Sequence, residues 1–214
     1  MKIPLACLLQ MKCYFSAVRH RPMVHLVLWW LGWAECETQT TEEERKCLAR
    51  FADGKKSLAE IGVFHGVTTC RLRQSMNHDG VLYAVDPYPR QRLGFSSQRI
   101  IARHEVSRIK VGTVKWIRTT GVSASEEIYA KRLRLFDFVF IDGDHSYEGL
   151  KADWEGWKKL MTPGGIIALH DSRSTPTRFI DDWGSVRFTR EVIERDADFH
   201  VVETTDSLTV LKRE

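Results

Sequence analysis

Two carboxylates and a histidine occur within four residues, directly after a largely apolar run. The run spans residues 136–141, and Asp142, Asp144 and His145 follow it. An imidazole titrates near neutral pH and can take a proton from a substrate hydroxyl, so His145 is a candidate general base with Asp142 beside it. The alternative is that Asp144 and His145 only cap the helix that comes next.

A second acid and histidine pair, His170 and Asp171, follows the apolar run 165–169. Neighbouring strands of a sheet lie about 4.8 Å apart, so side chains that follow two adjacent strands can face one point. Asp142 and Asp171 are therefore expected to converge, and their carboxylate oxygens suit Mg²⁺. The two pairs together predict an acid–base site that can hold a divalent cation.

A glycine-containing loop with the pattern Glu-x-Gly-x-x-x-Gly ends the first predicted strand. Its residues are Glu60, Gly62 and Gly66, and glycine lets a backbone turn sharply and approach a ligand closely. The pattern differs from the Gly-x-Gly-x-x-Gly of dinucleotide-binding folds. A carboxylate before the first glycine suits a ligand with an ammonium group better than one with a pyrophosphate. A plain tight turn is the alternative.

Two further polar residues follow predicted strands. Asp86 comes about 20 residues after the glycine loop, where an acid can accept hydrogen bonds from both hydroxyls of a ribose. Ser123 lies in the small-residue stretch 121–124, where an adenine can lie against the backbone. The alternative for Ser123 is that it caps the following helix.

Five apolar runs alternate with helical patterns. Their near-continuous apolar character is typical of parallel strands that are buried on both faces. The predicted strands are 57–62, 81–86, 114–118, 136–142 and 165–171. Two later β-rich runs, 199–202 and 208–211, predict a C-terminal antiparallel hairpin. The sequence thus predicts an α/β fold with a doubly wound, mostly parallel sheet.

Two helices are well marked in the sequence. The first begins at Thr40-Thr41, where acids follow a capping threonine. The second joins the last two parallel strands, and its apolar residues recur at steps of three or four on one face. These residues are Tyr147, Leu150, Trp154, Trp157 and Leu160. The proline and glycines of residues 162–165 predict the stop of this helix.

Composition and charge exclude several classes of protein. The chain has 214 residues, 43% of them hydrophobic, with 32 Lys+Arg and 28 Asp+Glu. These values are typical of one globular domain with an appendage, not of a disordered or disulfide-dense chain. Residues 35–214 carry 28 bases and 28 acids, so no nucleic-acid partner is expected. Five cysteines without a Cys-x-x-Cys pair predict reduced thiols in a cytoplasmic protein.

The basic excess lies in an N-terminal arm, residues 1–37, and the domain proper is expected at 38–214. Residues 1–34 contain four bases and no acid. Their Trp-rich run 23–34 is shorter than the roughly 20 residues that span a bilayer, so no transmembrane segment is predicted. The arm can pack on the body, form a homo-oligomer contact, or touch a membrane surface weakly.

These motifs resemble the class I S-adenosylmethionine-dependent methyltransferases, and most closely the small-molecule branch that includes macrocin-type sugar O-methyltransferases. Catechol O-methyltransferase is a more distant likeness. The resemblance covers residues 38–212. It rests on the glycine loop, Asp86, the stretch 136–147, and the Pro-Gly-Gly strand that ends in His170-Asp171.

The resemblance implies S-adenosylmethionine as cofactor, a Rossmann-like methyltransferase fold, and a hydroxyl of a sugar, phenol or natural product as methyl acceptor. The cofactor-binding residues that it implies are Glu60, Gly62, Val63, Gly66, Asp86, Ser123 and Asp142. His145 and Asp142 would be catalytic. Mg²⁺ or another divalent cation would be held by Asp142, Asp171 and His170. Some relatives carry an acid in place of His170, and a histidine there favours a softer ion than Mg²⁺.

Two other functions remain open from the sequence. A nicotinamide-dependent oxidoreductase is disfavoured because the third glycine of the phosphate loop is missing. A non-catalytic Rossmann-like binding or assembly module is compatible with the fold and with the Trp-rich arm. The acid and histidine set at residues 142–145 and 170–171 argues for retained chemistry.

Overall fold

A single mixed sheet organises the protein. The computed structural model describes residues 22–214, and residues 1–21 of the predicted arm lie outside them. The strands are β1 (Ser57–Ile61), β2 (Val81–Val85), β3 (Thr113–Ile117), β4 (Phe136–Ile141), β5 (Met161–Leu169), β6 (Phe199–Thr205) and β7 (Leu208–Arg213). Their order in the sheet is β3-β2-β1-β4-β5-β7-β6. The first five run parallel, and β7 pairs antiparallel with β5 and β6. This order confirms the predicted fold class, including the C-terminal hairpin.

Helices cover both faces of the sheet. They are α1 (Pro22–Trp30), α2 (Glu42–Ala52), α3 (Val67–Ser75), α4 (Ser97–Ser107), α5 (Gly121–Ala130), α6 (Tyr147–Trp157) and α7 (Gly184–Glu191). On one face α2 packs on α3 and α3 on α4, and on the other face α5, α6 and α7 pack in sequence. A loop that leaves one strand end can therefore meet helices from either face.

The central strand β4 is buried on both faces, as its apolar run predicts. Phe138 and Phe140 belong to the core cluster under α2 and α3, whereas Val139 and Ile141 belong to the cluster under α5 and α6. Burial of each such side chain contributes about 1.5–3 kcal/mol to folding. This double packing fixes the strand whose end carries Asp142.

The predicted start of α2 and the predicted apolar face of α6 are confirmed. At the start of α2, Thr41 Oγ1 accepts a hydrogen bond from Glu44 N–H, and Glu44 accepts one from Thr41 N–H, which is a capping box. On α6, Leu150, Trp154 and Trp157 are buried against the sheet. The apolar face predicted for this helix is therefore correct.

β5 begins at Met161 rather than at the predicted residue 165. The Pro-Gly segment 162–165 lies inside the strand, at a point where the register with β4 shifts. Gly164 has a φ of +72°, a left-handed conformation that glycine adopts without strain. The segment therefore bulges out of the hydrogen-bonded pairing between β4 and β5. The preceding helix, α6, ends at Trp157, which is earlier than predicted.

The described part of the arm packs on the body. Helix α1 lies against α4, where the Trp29 and His104 rings meet edge to face at 5.2 Å. Trp30 and Trp33 are 77% and 72% exposed. Within residues 22–214, no helix combines the length and the apolar character that crossing a membrane requires.

Candidate active site

A cavity of about 620 Å³ opens beyond the carboxyl ends of β1, β2 and β4. This volume is typical of a small-molecule site, and ligands of such sheets bind at this edge. The cavity is lined by residues 37–39, 60–64, 67, 68, 85–87, 98, 120–122, 142–145, 149 and 153. The predicted residues Glu60, Gly62, Val63, Asp86 and Asp142 are among them.

Gly62 lets the loop after β1 approach the end of β4. Its φ is +85°, and a Cβ at this position would lie 1.9 Å from the backbone oxygen of Asp142. Gly66, in contrast, is not among the cavity-lining residues. It precedes α3 with a φ of +79°, and a Cβ there would lie 3.1 Å from Val106 Cγ2 on α4. The structure gives Gly66 a turn and helix-packing role, and the cofactor contact expected of it stays a prediction.

Asp86 ties the glycine loop to the end of β2. Its Oδ2 accepts hydrogen bonds from the N–H groups of Val63 (3.0 Å) and Phe64 (3.2 Å), and its Oδ1 accepts one from Tyr88 N–H (2.7 Å). Each carboxylate oxygen has more than one lone pair. Asp86 can therefore hold the loop and still accept hydrogen bonds from a ligand in the cavity.

Glu60 is a buried carboxyl on the cavity wall. It is 1% exposed, and neither carboxylate oxygen has a hydrogen bond of good geometry to a described residue. Burial raises the pKa of Glu60 well above its usual value, and the nearby Asp142 and Asp86 carboxylates raise it further, although the nearby Thr69 hydroxyl partly opposes the rise. A buried acid without a partner is costly unless a ligand satisfies it, so this wall suits a group that donates hydrogen bonds or carries positive charge.

The acids and histidines after β4 and β5 converge, as predicted. His145 Nε2 lies 3.5 Å from Asp142 Oδ1, and His145 Nδ1 lies 3.4 Å from Asp171 Oδ2. His170 Nδ1 lies 2.9 Å from the same Asp142 oxygen. Burial by itself would raise the pKa of Asp142, but His145 and His170 outweigh it and hold that pKa below its usual value.

His170 is linked on its other side to Glu44 of α2, a residue that the sequence analysis did not select. His170 Nε2 lies 3.4 Å from Glu44 Oε2. Burial alone would lower the pKa of His170, but the carboxylates of Asp142, Glu44 and Asp171 raise it to about 10. His170 is therefore an imidazolium at neutral pH. Its charge stabilises the carboxylates around it.

The second carboxylate of the predicted Mg²⁺ site, Asp171, is bound by an arginine. Both terminal nitrogens of the Arg178 guanidinium, Nη1 and Nη2, donate hydrogen bonds to the carboxylate of Asp171, with Nη2 at 2.8 Å from Oδ2. Asp142, His145 and His170 have ligand atoms within 4.8 Å of one another, but two of these three groups are imidazoles. These groups do not fit Mg²⁺, which requires oxygen ligands, so no metal enters the chemistry below.

Ser123 is not among the residues that line the cavity, and its expected adenine contact stays a prediction. It is exposed on the first turn of α5, and Thr120, not Ser123, caps this helix by accepting a hydrogen bond from Ser123 N–H. Thr120, Gly121 and Val122 line the cavity instead. Ser123 Oγ accepts a hydrogen bond from Thr120 Oγ1 at 3.1 Å, so Ser123 adjoins a residue that lines the cavity.

Asp153 is a cavity residue that the sequence analysis missed. It lies on α6, is 4% exposed, and its Oδ1 has no hydrogen-bond partner among the described residues. A Cβ on Gly121 would lie 2.3 Å from that oxygen, so the glycine makes room for the acid. Burial raises the pKa of Asp153 to about 6, and Asp144 adds to the shift. The only signal in the sequence was an acid within an otherwise apolar helix face.

Asp144 organises the turn before α6. Its Oδ1 accepts a hydrogen bond from Ser146 N–H at 2.8 Å, and Ser146 is the residue that caps α6. His145 takes no part in this cap. The capping alternative therefore holds for the neighbourhood of Asp144 but not for the histidine.

Comparison with known proteins adds the family to this geometry. A family model described as a methyltransferase domain matches residues 59–172, which is more than half of the chain. The chain belongs to the methyltransferase domain family. Within this methyltransferase domain lie the glycine loop, Asp86, Asp153, and the acids and histidines after β4 and β5.

The methyltransferase domain has relatives among mycobacterial proteins. A protein of Mycobacterium sp. (strain JLS), named as an O-methyltransferase, is 31% identical over 131 residues, which are 58% of this chain and 51% of that protein. The chain spans about half the length of the relatives it matches.

Two solved structures have the same fold as this methyltransferase domain. The O-methyltransferase TomG from Streptomyces achromogenes, in complex with SAM, has a TM-score of 0.64 at 16% identity and covers 95% of this chain and 96% of its own. The O-methyltransferase from Bacillus cereus, in complex with SAH, has a TM-score of 0.62 at 18% identity, with coverages of 96% and 97%. At such identities the likeness establishes the class I methyltransferase fold.

Proposed function

We propose that the protein is an S-adenosylmethionine-dependent O-methyltransferase that acts on a hydroxyl of a small molecule. The observation that carries the proposal is the position of His145. Its imidazole lies between the carboxylates of Asp142 and Asp171, at the border of a cavity in which Glu60 and Asp153 Oδ1 are buried without a well-formed hydrogen bond to any described residue. The O-methyltransferases among its relatives and structural neighbours support the same reaction.

The cavity suits a ligand that crosses the edge of the sheet. Glu60 lies on the α3 side, where a buried carboxyl suits the ammonium group of the methionine half. Asp153 and Gly121 lie on the α5 and α6 side, where an acid can accept a hydrogen bond from the amino group of adenine. Asp86 lies between them and can accept the ribose hydroxyls. When bound, S-adenosylmethionine supplies an electrophilic methyl group on its sulfonium.

The chain's own contribution to the reaction is to deprotonate and orient the acceptor. His145 takes the proton from the acceptor hydroxyl, and the flanking carboxylates of Asp142 and Asp171 stabilise the imidazolium that forms. Arg178 holds Asp171 in place. Alignment of the hydroxyl oxygen with the methyl group then supplies much of the rate enhancement.

The loop 173–183 forms one side of the acceptor region. The Trp183 ring meets His145 edge to face at 5.6 Å, and the Arg178 guanidinium lies over Trp183 at 5.0 Å. The indole offers an apolar face for the ring of a sugar, phenol or natural product. These contacts support a cyclic small-molecule acceptor.

Calorimetric titration of the full chain with S-adenosylhomocysteine tests the cofactor part of the proposal, with NADH as the matched alternative ligand. We expect one S-adenosylhomocysteine site per chain and no NADH binding. Absence of S-adenosylhomocysteine binding by the folded chain would contradict the proposal. A panel of sugars and phenols, assayed for S-adenosylhomocysteine release, then separates an enzyme from a non-catalytic binding module.

The division into an arm (1–37) and a domain (38–214) is part of the same proposal. Residues 37–39 line the cavity, so the end of the arm contributes to the ligand site. The exposed indoles of Trp30 and Trp33 support a homo-oligomer contact or a weak membrane-surface contact through residues 1–34. Sedimentation of the chain with and without anionic liposomes distinguishes the two.

A further inference from the structure

A second cluster of metal-ligating side chains lies where the arm meets the glycine loop. It consists of His25 on α1, Glu37 in the segment between α1 and α2, and His65 in the loop between β1 and α3. One ligand atom from each residue lies within 4.8 Å of the other two. The cluster is separate from Asp142, and the reaction proposed above does not use it.

The two imidazoles of this cluster are buried in a stack of rings. His25 and His65 are each 4% exposed, and their rings stack with centroids 4.8 Å apart at an angle of 17°. Phe64 stacks on the other side of His65 at 4.1 Å. In the part of the chain that the structure describes, neither ring nitrogen of His25 has a hydrogen-bond partner. A buried ring nitrogen without a hydrogen-bond partner is expected to bind an ion or a water molecule.

Both rings turn their Nδ1 edges towards Glu37. His25 Nδ1 lies 3.5 Å from Glu37 Oε1, and His65 Nδ1 accepts a hydrogen bond from Glu37 N–H at 3.0 Å. Burial lowers the pKa of His65 to about 4, and His25 contributes to the shift. Because His65 Nδ1 accepts the hydrogen bond from Glu37 N–H, this nitrogen carries the lone pair that a metal ion needs.

We propose that His25, Glu37 and His65 form a binding site for a divalent transition-metal ion of the Zn²⁺ type. Two imidazoles and one carboxylate are a ligand set that Zn²⁺ adopts when a fourth position stays open. Mg²⁺ and Ca²⁺ prefer oxygen ligands alone. The site goes beyond the proposed methyl transfer and does not depend on it.

Metal binding would draw the arm towards the glycine loop. Ligand atoms around a tetrahedral Zn²⁺ lie about 3.3 Å apart, so the three groups must approach one another from their present separations. Ligation through His65 Nδ1 replaces the hydrogen bond from Glu37 N–H. Because Glu37 and Phe64 line the cavity, the ion would tie α1 to the wall of the proposed cofactor site.

Cobalt titration of the full chain tests the proposal directly. The protein is treated with EDTA, dialysed and titrated with Co²⁺, whose visible absorption reports tetrahedral nitrogen and oxygen ligands. We expect one equivalent to bind, Zn²⁺ to displace it, and the Tm to rise with Zn²⁺ concentration. Glu37→Gln and His25→Ala should each weaken Co²⁺ binding by more than about tenfold.

Matched variants identify where the ion binds. His78→Ala removes an exposed histidine and should leave Co²⁺ binding unchanged, as should His145→Ala in the other histidine cluster. The Glu37 side chain is 38% exposed, so Glu37→Gln reports on ligation even where His25→Ala lowers stability. The proposal is overturned by an absence of Co²⁺ binding, or by binding that survives both substitutions at the cluster.

Discussion

Glu44 and His170 form a buried ion pair that joins α2 to the end of β5. Glu44 Oε2 lies 3.4 Å from His170 Nε2. The other Glu44 oxygen accepts hydrogen bonds from the N–H and O–H of Ser207 at 2.9 Å and 2.7 Å. His170 in turn lies 2.9 Å from Asp142. Glu44, which lies outside the cavity, thus holds His170, and His170 in turn positions Asp142.

Glu44→Gln should destabilise the protein because it leaves the buried imidazolium of His170 without one of its carboxylates. Removal of one partner of a buried pair costs about 3 kcal/mol in the free energy of unfolding, measured here by urea denaturation at pH 6. Glu43→Gln is the matched control, since Glu43 pairs with Lys46 in solvent. The control should change stability by less than about 1 kcal/mol. Equal effects of the two substitutions would show that the pair is not a stabilising feature.

The stability that this pair supplies should depend on pH in both directions. Hydrogen bonds and His170 outweigh burial and lower the pKa of Glu44 from 4.5 to about 2, so its contribution is lost as pH falls from 4.5 to 2. The pKa of His170 is raised from 6.5 to about 10, so its contribution is lost as pH rises from 6.5 to 10. The difference in unfolding free energy between the wild type and Glu44→Gln should therefore be largest between these windows. A difference that is constant from pH 4 to 10 would contradict the linkage.

His145→Ala should lower kcat by about 10²–10⁴-fold, because the acceptor hydroxyl loses its proton acceptor. The affinity for S-adenosylhomocysteine should stay unchanged, since the other cavity acids remain. Turnover and calorimetry on the same preparation measure the two quantities. His78→Ala controls for loss of a histidine, and unchanged turnover in His145→Ala would remove this residue from the mechanism.

Asp153→Ala should weaken S-adenosylhomocysteine binding by about 10–100-fold, because the amino group of adenine loses a buried acceptor. Asp153→Asn keeps an acceptor oxygen of the same shape and should bind more tightly than Asp153→Ala. S-inosylhomocysteine carries a carbonyl in place of that amino group, so the wild type should discriminate against it and Asp153→Ala should not. Equal affinity of the wild type for both ligands would assign Asp153 to packing alone.

Gly62→Ala should damage the site through the backbone. Its Cβ would lie 1.9 Å from the Asp142 backbone oxygen, so the glycine loop must move away from β4 and take Val63 with it. Gly54→Ala is the matched control, because Gly54 also has a positive φ (+67°) but no neighbour within 4 Å of the added atom. The control should lose only about 1–2 kcal/mol of stability, whereas Gly62→Ala should also lose S-adenosylhomocysteine affinity. Retained affinity in Gly62→Ala would show that the loop is not required at this position.

Much of the site could be predicted because parallel strands bring their carboxyl ends to one edge. Asp142, His145 and Asp171 each follow a strand that its apolar run identifies, and the strands prove to be neighbours. Their convergence therefore follows from local pattern and general sheet geometry. Strand pattern does not, however, indicate which side chain pairs with Arg178.

Strand pattern also does not determine the contacts that the helices and loops around the site make. Thr120 rather than Ser123 caps α5, because this helix begins at Gly121. The predicted Mg²⁺ site lost its second carboxylate to Arg178, whose loop shows no regular pattern in the sequence. Glu44, on α2, comes well before the strands that carry the site. Its contact with His170 depends on how α2 packs against the sheet.

By itself the sequence determined the succession of strands and helices along the chain, the glycine loop and the acids at the strand ends. These features follow from periodicity and turn chemistry, which act over a few residues. The tertiary structure alone decided that His170 is held between Asp142 and Glu44, that Asp171 is bound by Arg178, and that His25 meets His65. These relationships arise where separate elements pack together. Burial and neighbouring charges then set the protonation of each group. Both depend on residues from several elements, so they cannot be deduced from one stretch of the sequence.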